Sequence, residues 1–227
     1  MLRLFAVAWL WFWAAAAPAD LEQARDRQDL PALRAAVASL AEAAAKAPND
    51  ADLHYRLALA GAFLAEASLE LGDRTAAVKA AETAIPSAQR AVTLQGDVSE
   101  YHRVLGVLCG QAVPGNLLAA VKHARCASSS LERALQLAPD SPQNYLSRGV
   151  GAYYLPPAFG GGVEPAIEDF RKAVQLNPKS ADAYLWLGIA LRKAGRNAEA
   201  REALRKSLEL NPRRLWTKQQ LAKTPAK

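Results

Sequence analysis

Few residues in this chain could do chemistry. It has three histidines and two cysteines, and His102, Cys109, His123 and Cys126 lie close together in sequence. His102 and Cys109 are seven apart and His123 and Cys126 are three apart, so on helices each pair shares a face. Four nitrogen and sulfur groups is the number a structural zinc requires, yet neither pair has the tight spacing of a zinc motif. No metal and no cofactor is expected. The alternative chemistry is a Cys109–Cys126 disulfide, which an oxidising compartment would favour. If both arms stay helical up to a turn at residues 113–116, the two cysteines are offset along the axis by roughly 9 Å, beyond disulfide reach. A partly unwound 110–116 removes the offset, so the sequence leaves the bond open. Asp182, Glu199 and Glu202 fall where solvated helix faces are expected, and Ser128, Ser129 and Ser130 have no motif around them. No catalytic set emerges, and no enzymatic activity is expected.

A second candidate is the stretch GAYYLPPAFGGGVEPAIEDF, residues 151–170. Pro156 and Pro157 stop a helix and the glycines at 160–162 permit positive φ. Glycine-rich loops can cradle phosphate, but this one matches neither phosphate-binding pattern. Glu164, Glu168 and Asp169 also put negative charge at the following helix start, where an anion needs positive potential. Phe159 stands between prolines and glycines. It either anchors a partner or folds back against the next repeat, and composition leaves both open; the expectation is a rigid binding edge, with Tyr153 and Tyr154 one turn earlier.

The elements that position these residues follow from periodicity. Ala, Leu, Arg, Glu and Lys dominate the 227 residues, which favours helix. Near the C-terminus stand Tyr184, Leu187, Gly188, Ala200, Leu204 and Pro212; upstream stand Tyr145, Gly149, Ala166, Phe170, Ala173 and Pro178. His102, Leu105, Gly106, Ala127, Leu131, Ala134 and Pro139 repeat the pattern, and weaker units precede them at His54–Ala91 and Ala36–Pro48. The closing positions are 48, 96, 139, 178 and 212, with intervals that shrink toward 34. On these residues the chain resembles the tetratricopeptide repeat family over nearly all of residues 20–227. The resemblance implies an all-α solenoid of about four and a half helical hairpins, with units near 20–48, 49–96, 97–139, 140–178 and 179–212. A cap over 213–227 follows, with Asn211 as its N-cap and Pro212 in its first turn.

Extra residues in the longer units are expected between the paired helices. The second unit should lengthen both helices by about two turns around a Gly72-Asp73 turn. The third should carry its excess around 113–116, and the fourth in the Pro/Gly stretch. Gly188 is expected to pack between helices, and Gly161 to occupy only a loop.

Residues 1–19, MLRLFAVAWLWFWAAAAPA, have a cationic start at Arg3, an apolar run from Leu4 to Ala17 and small residues before Asp20. This is the layout of a secretory signal peptide, and the run is short for a membrane span. The mature protein is expected to be exported, periplasmic or secreted, with membrane association only if this segment is uncleaved. Residues 192–227 carry 11 Lys or Arg against three Glu, which reads as a solvated basic cap. No nucleic-acid partner is expected.

The PPAFGGG stretch is also similar to an insertion found in the T component of tripartite ATP-independent periplasmic transporters and in the regulators of microtubule dynamics. The matching residues are Pro156 or Pro157, Phe159, Gly160 and Gly161. The second group is intracellular, unlike an exported chain. The first implies a periplasmic, ligand-handling transport accessory. Two functions follow from the sequence: a scaffold binding a protein or peptide through its concave face, and that accessory, with a transport component or an amphipathic ligand as partner. By spacing, the concave face carries Tyr55, Leu59, Arg103, Val107, Leu146, Val150, Tyr153, Tyr154, Leu185, Ile189, Arg192 and Lys193, with Phe159 on its loop.

Overall fold

The computed structural model describes residues 18–113 and 117–226. The signal-like segment up to residue 17 and three residues of the 113–116 turn lie outside them. Eleven helices run in order among the described residues: α1 (Pro18–Asp26), α2 (Leu30–Lys46), α3 (Ala51–Glu70), α4 (Arg74–Leu94), α5 (Ser99–Ala112), α6 (Leu117–Leu137), α7 (Pro142–Tyr154), α8 (Val163–Leu176), α9 (Ala181–Lys193), α10 (Asn197–Leu210) and α11 (Leu215–Lys223). Each pair from α3/α4 to α9/α10 forms an antiparallel hairpin. Successive first helices touch, α3 with α5, α5 with α7 and α7 with α9, and so make the inner layer of the curve. The result is a tetratricopeptide-type solenoid.

Local chemistry explains where the helices begin. Asp29, Asp50, Asp73, Ser141 and Ser180 each accept a hydrogen bond from the amide three residues on, which satisfies an otherwise orphaned donor. Within hairpins, one glycine per unit lets the helices close. A β-carbon on Gly61, Gly106, Gly149 or Gly188 would lie 2.3–2.7 Å from Ala84, Leu131, Phe170 or Leu204 respectively. Phe170 and Leu204 are fully buried against these positions.

The excess residues of the second unit go into its helices. α3 and α4 have 20 and 21 residues, against 13 and 14 in α9 and α10, and Pro86 lies inside the continuous α4. In the third unit the expectation of an expanded turn is corrected: most of its excess lies in α6, which has 21 residues against 14 in α5. That shift also decides the cysteines. Gly106 packs beside Ala127 and Leu131, so the pairing centre of the hairpin falls near the start of α6. The anticipated offset vanishes while α5 stays helical to Ala112. Cys109 and Cys126 are joined in a disulfide with their Cα atoms 5.9 Å apart, which takes both thiols out of metal chemistry.

The cap also differs. Asn211 closes α10, and α11 starts later, at Leu215, with Arg214 before it. Asn211 donates instead to Asp26 Oδ2 at 2.6 Å and accepts from the Arg213 amide at 3.2 Å. The chain must turn here to send Arg214 inward, so the helix cannot begin at Pro212.

Candidate interaction site at the meeting of the first and last helices

The inner layer of the solenoid does not present an empty groove across its whole length. α1 lies against α3, and its C-terminal end reaches the last helices. Arg25 Nη1 donates to Asp182 Oδ2 on α9 at 2.9 Å, and its guanidinium also pairs with Asp26. It lies 5.0 Å from the Phe63 ring centre. Gln28 Nε2 donates to Glu70 on α3 at 2.9 Å and its oxygen accepts from Gln219 on α11 at 3.1 Å.

At the centre sits Arg214, with no exposed surface. It donates to Glu66 at 2.7 Å, to both oxygens of Glu70, and to the carbonyl of Arg25 at 3.4 Å. Asp26 and Asp182 lie 3.5 and 3.6 Å from its Nε. Two guanidiniums thus serve four carboxylates, with Glu22 nearby as a fifth. Burial pushes the Glu70 carboxyl up to about 7, with the charge of Glu66 adding, against the pull of Arg214 and the Gln28 hydrogen bond. Burial also works upward on Asp182, but Arg25 and Arg214 outweigh it and hold that carboxyl below its usual range.

Beside the ion cluster lies an aromatic one. Trp186 stacks on Phe170 with ring centres 6.1 Å apart. Tyr153, Tyr154 and Trp216 meet Trp186 edge-on at 5.9, 6.1 and 5.2 Å. Trp216 lies two residues after Arg214, and the Tyr154 phenol is raised by burial first and then by Tyr153, with smaller effects from Arg74, Glu66 and Glu70 of the ionic region. The aromatic and ionic groups therefore share one mouth of the solenoid. Tyr154 is 66% exposed there, and Phe159 is 74% exposed on the neighbouring loop. Leu155, Leu71 and Leu215 are also exposed; the last two are the sequence neighbours of Glu70 and Arg214.

The loop itself is fixed by its backbone. Pro157–Phe159 forms a 3-10 turn. The amides of Phe159, Gly160, Gly161 and Gly162 donate to Pro156, Pro157, Pro156 and Ala152 at 2.9, 3.0, 3.2 and 2.8 Å. Gly160 and Gly162 have φ of 81° and 120°. Gly161 is more than a loop position: a β-carbon there would meet the Leu155 carbonyl oxygen at 2.1 Å.

Several residues assigned to the face by spacing lie elsewhere. Leu59, Leu185 and Ile189 are buried in the core, because the next hairpin covers the side that a single helix would leave open. Val107, Leu146, Val150 and Tyr153 are partly buried against the same clusters. Tyr55 stacks on Tyr101 at 5.1 Å and donates to Glu100 at 3.2 Å; desolvation, then the Glu100 charge, raises its phenol. Arg103 is held by Glu100 and donates to Ser147 at 3.1 Å. Arg192 is spent on Gln220 and Thr224 of the C-terminal segment. Lys193 lies over the Tyr153 ring at 4.2 Å and stays exposed, as do Tyr154 and Phe159. Spacing alone missed Arg25, Asp26, Glu66, Glu70 and Arg214, and placed Asp182 in solvent. The one local signal was the Glu66/Glu70 pair, four apart on one helix face.

Of the other candidate groups, His54 and His102 contact the Pro48 and Gly96 carbonyls, and Glu199 pairs with Arg196. Among the described residues no group of three or more His, Cys, Asp or Glu could hold a metal ion. No helix among them is long and apolar enough to cross a membrane.

These stacked hairpins have a tetratricopeptide-type fold, and parts of the chain resemble known proteins. The tetratricopeptide repeat family matches residues 160–214. The chain is similar to the small glutamine-rich tetratricopeptide repeat-containing protein 2 of Mycosarcoma maydis, 33% identical over 98 residues, 43% of this chain and 26% of that protein. It is also similar to an uncharacterised protein of Methanocaldococcus jannaschii, 48% identical over 48 residues, 21% of this chain and 56% of that protein. The chain thus spans about a quarter and just over half of the lengths of these curated relatives. A thermophilic tetratricopeptide repeat protein of Thermus thermophilus has the same fold, with a TM-score of 0.61 at 21% identity, covering 92% of this chain and 98% of that one.

Proposed function

We propose that this protein is an exported scaffold that holds a protein or peptide partner at the mouth of its solenoid, with Tyr154, Leu155 and Phe159 as anchors. The observation that carries this function is Phe159, 74% exposed on a loop whose backbone is locked. Holding a large apolar ring in water is unfavourable. A rigid backbone keeps the ring out, and docking an aromatic anchor that is already ordered loses little conformational freedom. The repeat fold supports a binding role, since stacked hairpins present extended surfaces for partners. Export is supported by the signal-like residues 1–19 and by the Cys109–Cys126 disulfide, a bond that persists in oxidising compartments. A protein partner is favoured over an apolar ligand carried by a transport accessory, because charge fills the inner face beside the mouth.

A photo-crosslinking residue in place of Phe159, with the exposed Glu168 as control position, tests this in the exported fraction. One adduct specific to position 159 is expected. Phe159→Ala should weaken that partner by about thirtyfold, the loss of an aromatic hot spot, with the thermal midpoint unchanged. A midpoint lowered by several degrees with binding intact would make the loop purely structural.

A further inference from the structure

We propose that Glu70, Gln28 and Gln219 form a proton-operated device at the buried junction: Glu70 takes a proton from solvent onto Oε2, and the two glutamine amides turn over together to receive it. The device keeps the first and last helices tied in both charge states.

The charge balance calls for a proton. Asp26, Glu66, Glu70 and Asp182 share the guanidiniums of Arg25 and Arg214, so full ionisation sets four negative charges against two positive ones. Covered carboxylates in such excess do not all stay ionised. Glu70 is the most covered of them, its side chain 1% exposed against 11% for Asp26, 23% for Glu66 and 27% for Asp182. Charged and titratable groups surround it from every element at the junction: Arg25 and Asp26 from α1, Glu66 from α3, Tyr154 from α7, Asp182 from α9 and Arg214 before α11. Arg74, at the start of α4, bears on the same Tyr154 phenol. Burial and Glu66 oppose the charge on Glu70, while Arg214 and the Gln28 hydrogen bond favour it.

The hydrogen bonds show where the proton goes. Glu70 Oε2 accepts from Arg214 Nη1 at 3.0 Å and from Gln28 Nε2 at 2.9 Å. Gln219 Nε2 donates to Gln28 Oε1 at 3.1 Å, and Gln28 Nε2 also approaches Gln219 Oε1 at 3.4 Å. An ionised carboxylate only accepts, so Gln28 presents its N–H; a protonated one needs an acceptor in the same place. Turning Gln28 alone would set nitrogen against nitrogen and oxygen against oxygen across the Gln28–Gln219 pair. Turning both amides restores every bond in reverse: the Glu70 hydroxyl donates to Gln28 Oε1, and Gln28 Nε2 donates to Gln219 Oε1. Both glutamines are half-buried, so solvent reaches them and the proton can come and go.

The charges of Glu66 and Glu70 reach the Tyr154 phenol, so the proton changes the field beside the exposed anchor at the mouth. That consequence rests on the partner-binding role above; the device itself does not.

NMR of the full-length protein carrying 13C-labelled glutamate and 15N-labelled glutamine tests the proposal. The Glu70 carboxyl, identified by its loss in Glu70→Gln, should titrate near 7. The side-chain amides of Gln28 and Gln219 should shift with the same midpoint. In Glu70→Gln the new amide donates permanently toward Gln28, so the Gln28 and Gln219 signals should hold their acid-limit positions at every pH. Amide signals that stay still while Glu70 titrates overturn the device, as does a Glu70 midpoint in the ordinary carboxylate range. Alkaline-limit positions in Glu70→Gln overturn it too, and the wild-type titration decides alone if that variant does not fold. None of these readouts involves Phe159 or a partner, so failure here is separable from failure of the anchor at the mouth.

Discussion

Arg214 and Glu70 are 144 residues apart in sequence and form a doubly hydrogen-bonded ion pair with both side chains almost wholly buried. Glu66, one helical turn earlier, shares the same guanidinium. The pair ties the last helix-to-helix turn to the second hairpin, and through Arg25 and Asp26 it includes the first helix as well. A solenoid whose units ordinarily meet only their neighbours is here joined end to end.

Removing Arg214 should therefore cost far more than a surface arginine. Arg214→Ala leaves Glu66 and Glu70 buried without their cation, and breaking a buried pair from one side costs about 3–5 kcal/mol. Urea unfolding should show a loss of that order. Arg213→Ala, at an exposed position, should change stability by less than about 0.5 kcal/mol.

The same junction gives stability a pH dependence of defined sign. Glu70 is raised by burial to about 7, from 4.5, so folding takes up a proton between these values. Its contribution is fully present below pH 4.5 and is lost as pH rises through 7, by at most about 3 kcal/mol. Asp182 is shifted the other way, so its contribution is present above its ordinary carboxylate range and falls away in stronger acid. Stability should peak in mildly acidic solution. Glu70→Gln should flatten the profile between pH 5 and 7.5; an unchanged slope in denaturant titrations would assign the effect to another group.

Gly161→Ala should destabilise the protein about as much as Gly188→Leu. The first forces a β-carbon into the Leu155 carbonyl; the second overpacks the contact with Leu204, typically a loss of about 1–3 kcal/mol. Gly160→Ala has open space around it and a φ of 81°, so backbone strain alone remains, about 1 kcal/mol. Thermal midpoints of the three variants should place Gly160→Ala well above the other two.

Replacing both cysteines by alanine should lower stability by about 3 kcal/mol, the loop-closure contribution for a crosslink spanning this separation. The helices should persist by circular dichroism, because Gly106 and Leu131 pack the same hairpin independently of the bond. Loss of helicity in α5 and α6 would mean that the bond, not the packing, holds them.

The fold was legible because its determinants are local and recurrent. Gly149 with Phe170, and Gly188 with Leu204, repeat one packing solution at a near-constant interval, and proline and glycine mark the ends. The binding face was less legible. Leu185 and Ile189 were placed by the period of one helix, but a helix in a stack is covered from several sides, and no period reports its neighbours. The Arg25, Glu70 and Arg214 junction was invisible for a different reason. Its members lie far apart in sequence, and each resembles an ordinary surface charge until curvature brings the two ends together. Phe159 was legible as conspicuous but not as exposed; its position depends on hydrogen bonds to Pro156 and Ala152 that composition does not specify.

The unusual length of α3 gains a meaning from where its charges fall. A first helix as short as α9 would stop seven residues earlier, before Glu66 and Glu70. Those two final turns are a jetty built out from the second unit, and the last helix moors to its end. Shortening the second hairpin to standard size would keep every repeat contact in register and yet leave Arg214 with no berth. The extra turns thus set the circumference of the molecule, and with it how wide the mouth beside Tyr154 can stand.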